Sequence, residues 1–254
     1  MKFTKVLASR IRRVLRKIGL DLVLFNNRNP DFVLQRELYR HGIEICLDVG
    51  ANRGQFAARM RRYGFRGVIH SFEPIPEAFG ELASRAARDK KWFAHQLALG
   101  CTQGEAPFFL AANDQTSSLH RPTSLNLEST PTARTQRMLK VQVCRLDQVL
   151  EDLGLDPSRC FLKLDVQGGE ADVLAGAEGA LGQIPLIQLE TSFEPLYENE
   201  RSFSDLLAYL KAAGFSLVSL IPGYCDPRTG ALLQVDAIVS RLPRDAEISP
   251  RTQE

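Results

Sequence analysis

The chain reads as an α/β protein built on a mostly parallel Rossmann-like sheet with helices on both faces. Three observations predict this. From residue 44 onward, short aliphatic and β-branched runs alternate with amphipathic stretches, the rhythm of repeated β–α units. Glycines close several of the amphipathic stretches, as at Gly42, Gly64 and Gly214. Finally, Ile45-Cys46-Leu47-Asp48-Val49-Gly50-Ala51-Asn52-Arg53-Gly54-Gln55-Phe56 passes from an apolar run through a glycine turn into a helix. In open α/β sheets that corner is where nucleotide-like ligands bind.

Taken in order, residues 1–20 hold seven Lys or Arg and no acid, with Phe3, Leu7, Ile11, Val14, Leu15 and Ile18 at helical spacing. Such a helix can lie on an anionic membrane surface, or pack its stripe on the main domain or a partner subunit. Asn26 to Pro30 breaks the pattern, and residues 31–41 read as a second helix. The expected organisation is a helical extension over 1–41, one domain over 42–241, and a polar tail over 242–254.

Within the domain, a strand at 44–49 feeds a helix at 54–63, and a strand at 67–72 feeds a helix at 76–88. A third strand is expected at 92–98, with Trp92 and Phe93 in the core, and two more at 105–111 and 139–144. The stretch between those two, 112–137, is rich in Ser, Thr, Asn and Arg and lacks periodicity, which suits a lid. A helix at 146–152 precedes a buried strand at 161–165, and Gly168-Gly169 opens a helix over 170–181. Strands follow at 184–190 and 215–220, separated by a helix at 202–213. A Pro-Gly-rich turn over 222–230 makes the last strand, 232–239, antiparallel if that turn is a hairpin.

Composition narrows the function. A hydrophobic share of 44% with 24% charged residues fits a soluble globular protein, and a net charge of +2 gives no bulk attraction to nucleic acid. Five cysteines (46, 101, 144, 160 and 225) form no C-x-x-C pair and have no His at ligand spacing. This suits a reducing cytoplasm and argues against a cysteine-based zinc site. No apolar run approaches a membrane span, and the amino terminus lacks a signal-peptide core. A cytoplasmic location is expected, membrane-peripheral only through residues 1–20.

The polar residues at strand ends are the candidates for chemistry: Asp48, Glu73, Asp165 and Glu190. Gly50 and Gly54 remove Cβ atoms where a ligand would approach the backbone. Asp48 beside that turn would repel a pyrophosphate and attract an ammonium group, such as that of S-adenosylmethionine. Glu73 follows Gly50 by 23 residues, the spacing of a carboxylate that accepts both ribose hydroxyls, and Pro74 restricts its backbone. The same spacing serves NAD, but Asn52 replaces the middle glycine of the dinucleotide pattern, which disfavours hydride transfer. Asp165 could take the proton of an attacking hydroxyl, hold the substrate, or ligate a divalent metal together with Glu170 or Glu190. Glu170 also suits the start of a helix for its dipole alone. His120 follows Ser117-Ser118-Leu119 in the long loop, where a lid could carry it over the site, whereas His41, His70 and His95 read as packing residues.

Together, Asp48-Val49-Gly50-Ala51-Asn52-Arg53-Gly54, Ser71-Phe72-Glu73-Pro74, Ser117-Ser118-Leu119, Leu162-Lys163-Leu164-Asp165-Val166-Gln167-Gly168, and Gln188-Leu189-Glu190 with Pro195-Leu196-Tyr197 occur in an order that resembles the FkbM-type methyltransferase family. The likeness runs from about residue 31 to 241. It implies a class I S-adenosylmethionine-dependent fold with a seven-stranded sheet and a reversed last hairpin. It also implies O-methylation of a hydroxyl on a sugar, glycan or polyketide-like natural product. By this resemblance Asp48, Gly50, Asn52 and Gly54 hold the methionine end, Glu73 with Pro74 the ribose, and Ala98 borders the adenine. Ser118 joins the cofactor set. Gly169 departs from the family, which often has a bulky residue there, and would widen the acceptor pocket. The alternatives are an NAD-linked sugar oxidoreductase or epimerase, which would need a Tyr-x-x-x-Lys pair this chain lacks, and a non-catalytic cofactor-binding subunit. Oligomeric state is not legible.

Overall fold

A computed structural model describes residues 29–241, together with Leu15 and Asn26. The helix expected over 1–20 and the tail from 242 fall outside the described residues, Leu15 apart. Seven strands form the main sheet: β1 (Ile45–Val49), β2 (Val68–Phe72), β3 (Trp92–His95), β7 (Cys160–Leu164), β8 (Leu186–Ser192), β9 (Ser216–Pro222) and β10 (Gln234–Ser240). Their spatial order is β3-β2-β1-β7-β8-β10-β9, and only β10 runs against its neighbours. The order reverses between β1 and β7, which is where a doubly wound sheet opens a crevice.

Strand alternation divides the core between two faces. On one face Leu47, Leu162, Ile187 and Val239 pack under α5 (Leu146–Asp152), α6 (Glu170–Ala175), α7 (Glu178–Leu181) and α8 (Phe203–Ala212). On the other, Cys46, Ile69, Phe161, Leu186 and Ile238 pack under α1 (Pro30–Arg40), α2 (Gln55–Arg62) and α3 (Pro76–Ala86). Although expected within an extension, α1 puts Leu34 and Leu38 into this same core. Two residues farther along the strands, the second face turns polar. Ser71, Asp48, Lys163 and Gln188 stand side by side in register across β2, β1, β7 and β8. A buried row of that kind must satisfy its own charges or meet a ligand.

Several expected elements are drawn differently. The strand expected over 92–98 is two strands in two sheets: β3 ends at His95, and β4 (Ala98–Leu99) pairs with Val143 and Cys144 of β6 (Thr135–Cys144). With β5 (Gly104–Ala111) these make a three-stranded sheet in the order β4-β6-β5. Its apolar side, including Phe108, Val141 and Val143, closes on Ile75 and Ala78. Phe93 is not in the core. It lies on the edge strand, 47% exposed, stacked on His70.

The stretch 112–137 is not a structureless loop. It contains a 3-10 turn at Asp114–Thr116, α4 (Ser124–Ser129), a second 3-10 turn at Pro131–Ala133 and the first residues of β6. Side-chain caps hold it: Asn113 accepts from Gln115 N–H and Thr123 from Asn126 N–H. These caps leave no apolar period to read. The helix expected over 170–181 is two helices, α6 and α7, and at their junction Gly176 passes the Gly100 carbonyl, where a Cβ would stand 2.1 Å from the oxygen. Among the described residues, no helix is long and apolar enough to cross a membrane.

Candidate active site

A cavity of about 630 Å³ opens at the carboxyl ends of β1, β2, β7 and β8, a volume suited to a small-molecule ligand. At one end it is lined by Glu73, Pro74, Ile75, Ala98 and Leu99, at the turn after β1 by Gly50, Ala51 and Asn52, and in the middle by Lys163, Asp165 and Gln167. The far end is built from Gln188, Glu190, Tyr197, Tyr224, Gln234 and Asp236, and the stretch 113–130 adds Asn113 to Ser117, Asn126 and Thr130.

Glu73 is anchored by two backbone donors: Asn52 N–H gives to one carboxylate oxygen and Ile75 N–H to the other, both at 2.8 Å. The turn that delivers Asn52 holds it at φ 47, in the left-handed region that Asn tolerates better than most residues. Burial raises the Glu73 carboxyl to about 7, with the two N–H bonds opposing the shift. Each of its oxygens keeps a lone pair for a further donor, as the ribose assignment requires.

Both glycines of the turn make close protein contacts, and of the two only Gly50 also lines the cavity. A Cβ at Gly50 would lie 1.8 Å from the Asp165 carbonyl oxygen, so this glycine lets β1 and β7 close together at the crevice. A Cβ at Gly54 would meet Trp92 and Leu82 at 2.7 to 2.9 Å, and Gly54 does not line the cavity. Its absence from the wall corrects the expectation that it admits a ligand to the backbone.

Asp48 also needs correction. It is 0% exposed and lies outside the cavity wall, with Lys163 Nζ 3.4 Å from Oδ1 and Ser71 Oγ donating to Oδ2 at 3.1 Å. Trp92 Nε1 donates to Ser71 in turn. The cation that Asp48 was expected to seek in a ligand is supplied by the chain itself. Burial still pushes the Asp48 carboxyl up, against the pull of Lys163.

Lys163 was not among the sequence candidates, yet it ties the centre together. Its ammonium lies 3.3 Å from Asp165 Oδ2 and donates to the Gly50 carbonyl at 3.2 Å. Burial alone would lower it, but Asp165 and Asp48 outweigh that and hold it above the ordinary lysine value. A lone charge inside the apolar run Phe161 to Leu164 was the available signal, since a buried lysine requires a carboxylate nearby.

Asp165 is partly exposed, 39% at its side chain, and its Oδ1 accepts from Gln167 Nε2 at 2.9 Å. Gln167 has φ 57, and the same amide nitrogen also donates to Glu190 while its oxygen accepts from the Tyr197 hydroxyl. Gln234 donates to Glu190 as well. Burial, then the charges of Asp165, Glu170 and Asp236, push Glu190 well above the usual carboxylate range.

The remaining expected residues lie behind the wall. Glu170 is buried, accepts from Val166 N–H at 2.9 Å, and is raised to about 8 by burial. It does not line the cavity; it opens α6 and braces the preceding turn through Val166. Ser118 does not line it either. Its hydroxyl donates to the Gln167 carbonyl at 2.7 Å and accepts from His120 N–H, pinning the loop that carries Gln167. His120 pairs with Asp172 at 2.9 Å, which raises its imidazole, and is separated from the cavity by Gly169. Glu170 therefore does not share the cavity with Asp165, whereas Glu190 does. Among the described residues, no group of three or more His, Cys, Asp or Glu is arranged to hold a metal ion.

The family described as Methyltransferase FkbM domain matches residues 48–217, from Asp48 in β1 to the start of β9. The chain belongs to the FkbM methyltransferase family. It is 26% identical over 185 residues to the 2-O-methyltransferase NoeI of Sinorhizobium fredii, covering 70% of this chain and 74% of that one. It is 27% identical over 220 residues to the 31-O-demethyl-FK506 methyltransferase FkbM of Streptomyces tacrolimicus, covering 73% and 82%. Among solved structures, an rRNA methylase from Streptococcus thermophilus aligns with a TM-score of 0.45 at 12% identity, covering 85% of this chain and 98% of that one. The matched domain is a methyltransferase domain. The oxidoreductase and non-catalytic readings give way to that membership.

Proposed function

We propose that this enzyme methylates a hydroxyl of a sugar, glycan or polyketide-like natural product, with Asp165 receiving the hydroxyl proton. The observation that carries the reading is the Asp165 carboxylate: exposed to the middle of the cavity, and fixed in orientation by Lys163 on one oxygen and Gln167 on the other. Glu190 is half-buried and takes two amide donors on one oxygen, which suits it to supporting Gln167 rather than to acting as the base. Both named relatives carry an O-methyl position in their names, which supports an oxygen acceptor.

When bound, S-adenosylmethionine supplies a methyl group made electrophilic by its sulfonium. Glu73 would accept from the ribose, the Gly50 to Asn52 backbone would border the amino-acid end, and Ala98 with Leu99 would flank the adenine. The rest of the work is orientation: the acceptor oxygen must be held in line, and effective molarity supplies most of the acceleration. Asp165 adds general-base assistance, which is typically worth about 10²–10⁴-fold. Asp165→Asn is therefore expected to lower kcat by at least about a hundredfold while S-adenosylhomocysteine binds almost as before. Turnover equal to the parent enzyme would remove Asp165 from the base role.

A further inference from the structure

Three cations line the cavity: Lys163, Arg59 and Arg62. Lys163 is matched by Asp48 and Asp165, but the two arginines have no such partners. Both stand on α2, whose sequence Gln55-Phe56-Ala57-Ala58-Arg59-Met60-Arg61-Arg62 contains three arginines and no acid. Arg61 is engaged, bonded to Asp89 and to the Phe65 and Gly67 carbonyls. Arg59 is half-buried and Arg62 exposed, and neither takes part in an ion pair or hydrogen bond among the described residues. Like charges three residues apart on a helix repel, so a counter-ion between them is stabilising.

Their place in the fold separates them from the cofactor end. α2 leans over β7, where Phe56 meets Phe161 with ring centroids 6.1 Å apart. The Arg59 guanidinium lies 5.1 Å from the Phe56 ring centroid, and an aromatic support of that kind limits how far it can swing. Arg59 also acts on Asp236 of β10 without bonding to it. In the order β2-β1-β7-β8-β10, Asp236 is on the opposite side of Asp165 from Glu73. The acids at this end are Asp165, Glu190 and Asp236. Asp165 is held by Lys163, and burial makes the other two resist ionisation, so the charge of the arginine pair is not cancelled.

We infer that Arg59 and Arg62 receive an anionic group, a phosphate or a carboxylate, carried by the acceptor away from the hydroxyl that is methylated. The inference rests on the reading of this cavity as the methyl-transfer site. A guanidinium presents paired N–H donors that match two oxygens of such a group. A neutral acceptor leaves the two charges facing each other with nothing between them, and a cationic one is repelled. The other anion in the reaction is the cofactor's own carboxylate, which the proposed binding mode sets beside Gly50 to Asn52, on the β1 side.

The test uses the full chain saturated with S-adenosylhomocysteine and titrated, by saturation-transfer NMR, with glucose 1-phosphate, methyl α-glucuronoside and the neutral methyl α-glucoside. At least one anionic probe is expected to bind about tenfold more tightly than the neutral one, and whether it is the phosphate or the carboxylate identifies the anion. That advantage should shrink as salt is raised. It should also fall about tenfold in Arg59→Gln and in Arg62→Gln, the loss of a charge-assisted contact in each. Arg59→Lys, which keeps the charge but not the fork, should fall between parent and Arg59→Gln. Calorimetric affinity for S-adenosylhomocysteine should stay within about twofold of the parent in all three variants. A parent protein that fails to bind S-adenosylhomocysteine would overturn the site itself. Cofactor binding with no preference for an anionic probe, or a preference unmoved by both glutamine substitutions, overturns the anion assignment alone. Weakened S-adenosylhomocysteine binding in Arg59→Gln overturns it as well, since the arginine then serves the cofactor's carboxylate.

Discussion

The Lys163 ammonium sits between Asp48, which is fully buried, and Asp165, which faces the cavity, at 3.4 and 3.3 Å. Removing one member of a buried pair leaves the other uncompensated, and this typically costs about 3–5 kcal/mol. Lys163→Met should lose that much stability in urea denaturation, and Asp48→Asn in the same chain should restore most of it. A Lys163→Met protein as stable as the parent would mean that Asp48 is not charged in the fold. Glu73 gives a second residue-scale prediction, because its carboxyl lies at about 7 and a ribose needs it ionised. Affinity for S-adenosylhomocysteine should weaken as pH falls through about 7 and level off above it. Glu73→Gln should bind more weakly, since its amide would face Asn52 or Ile75 N–H donor to donor, and calorimetry should find its pH dependence flat. Glu73 and Asp165 were legible because strand-end carboxylates follow from the fold class. Lys163, Asn126 and Gln188 were not, since only strand register and burial show which polar side chains share a wall. For the same reason Glu170 and Ser118, polar and within motifs, were taken for site residues although both face inward.

At the scale of elements, the glycine turn shows how one residue type serves two ends. Gly54 has φ +80 and would put a Cβ against Trp92 and Leu82, whereas Gly64 has φ +91 and open space around it. Trp92 is held by its bond to Ser71 and cannot swing aside freely. Gly64→Ala should cost only the left-handed backbone penalty, about 1–2 kcal/mol. Gly54→Ala should add overpacking, for about 2–5 kcal/mol in total. Equal losses in chemical denaturation would show that Trp92 yields and that Gly54 does not set the packing of α2 on the sheet. The β–α alternation was readable because each unit carries its own apolar period. The three-stranded sheet was not, because β4 is two residues long and continues directly from the segment after β3. The stretch 112–137 was hidden for a related reason: its turns are fixed by side-chain caps and by long-range pairing, such as Thr123 N–H to the Leu196 carbonyl.

Across the whole molecule, packing the carboxyl ends of the strands has concentrated acids that resist ionisation. Burial raises Glu73 to about 7 and Glu170 to about 8, and also pushes up Asp48, Glu190, Glu200 and Asp236. Each such group binds its proton more tightly in the folded chain than in the unfolded one. Stability therefore falls as pH rises from the unfolded value towards the folded one, and the loss is complete above it. Asp89 and Asp172 act in the opposite sense, since their hydrogen bonds lower them and their contribution is lost in acid. Glu170 isolates the first effect, because it does not line the cavity and its bond from Val166 N–H can be kept by an amide oxygen. Glu170→Gln should match the parent near pH 4.5 and become progressively more stable than it up to about pH 8. The gain should reach roughly a few kcal/mol at the alkaline end, as the pKa difference sets an upper bound. Thermal denaturation of both proteins across that range measures it. Midpoints that track each other at every pH would show that Glu170 ionises in the fold at no cost.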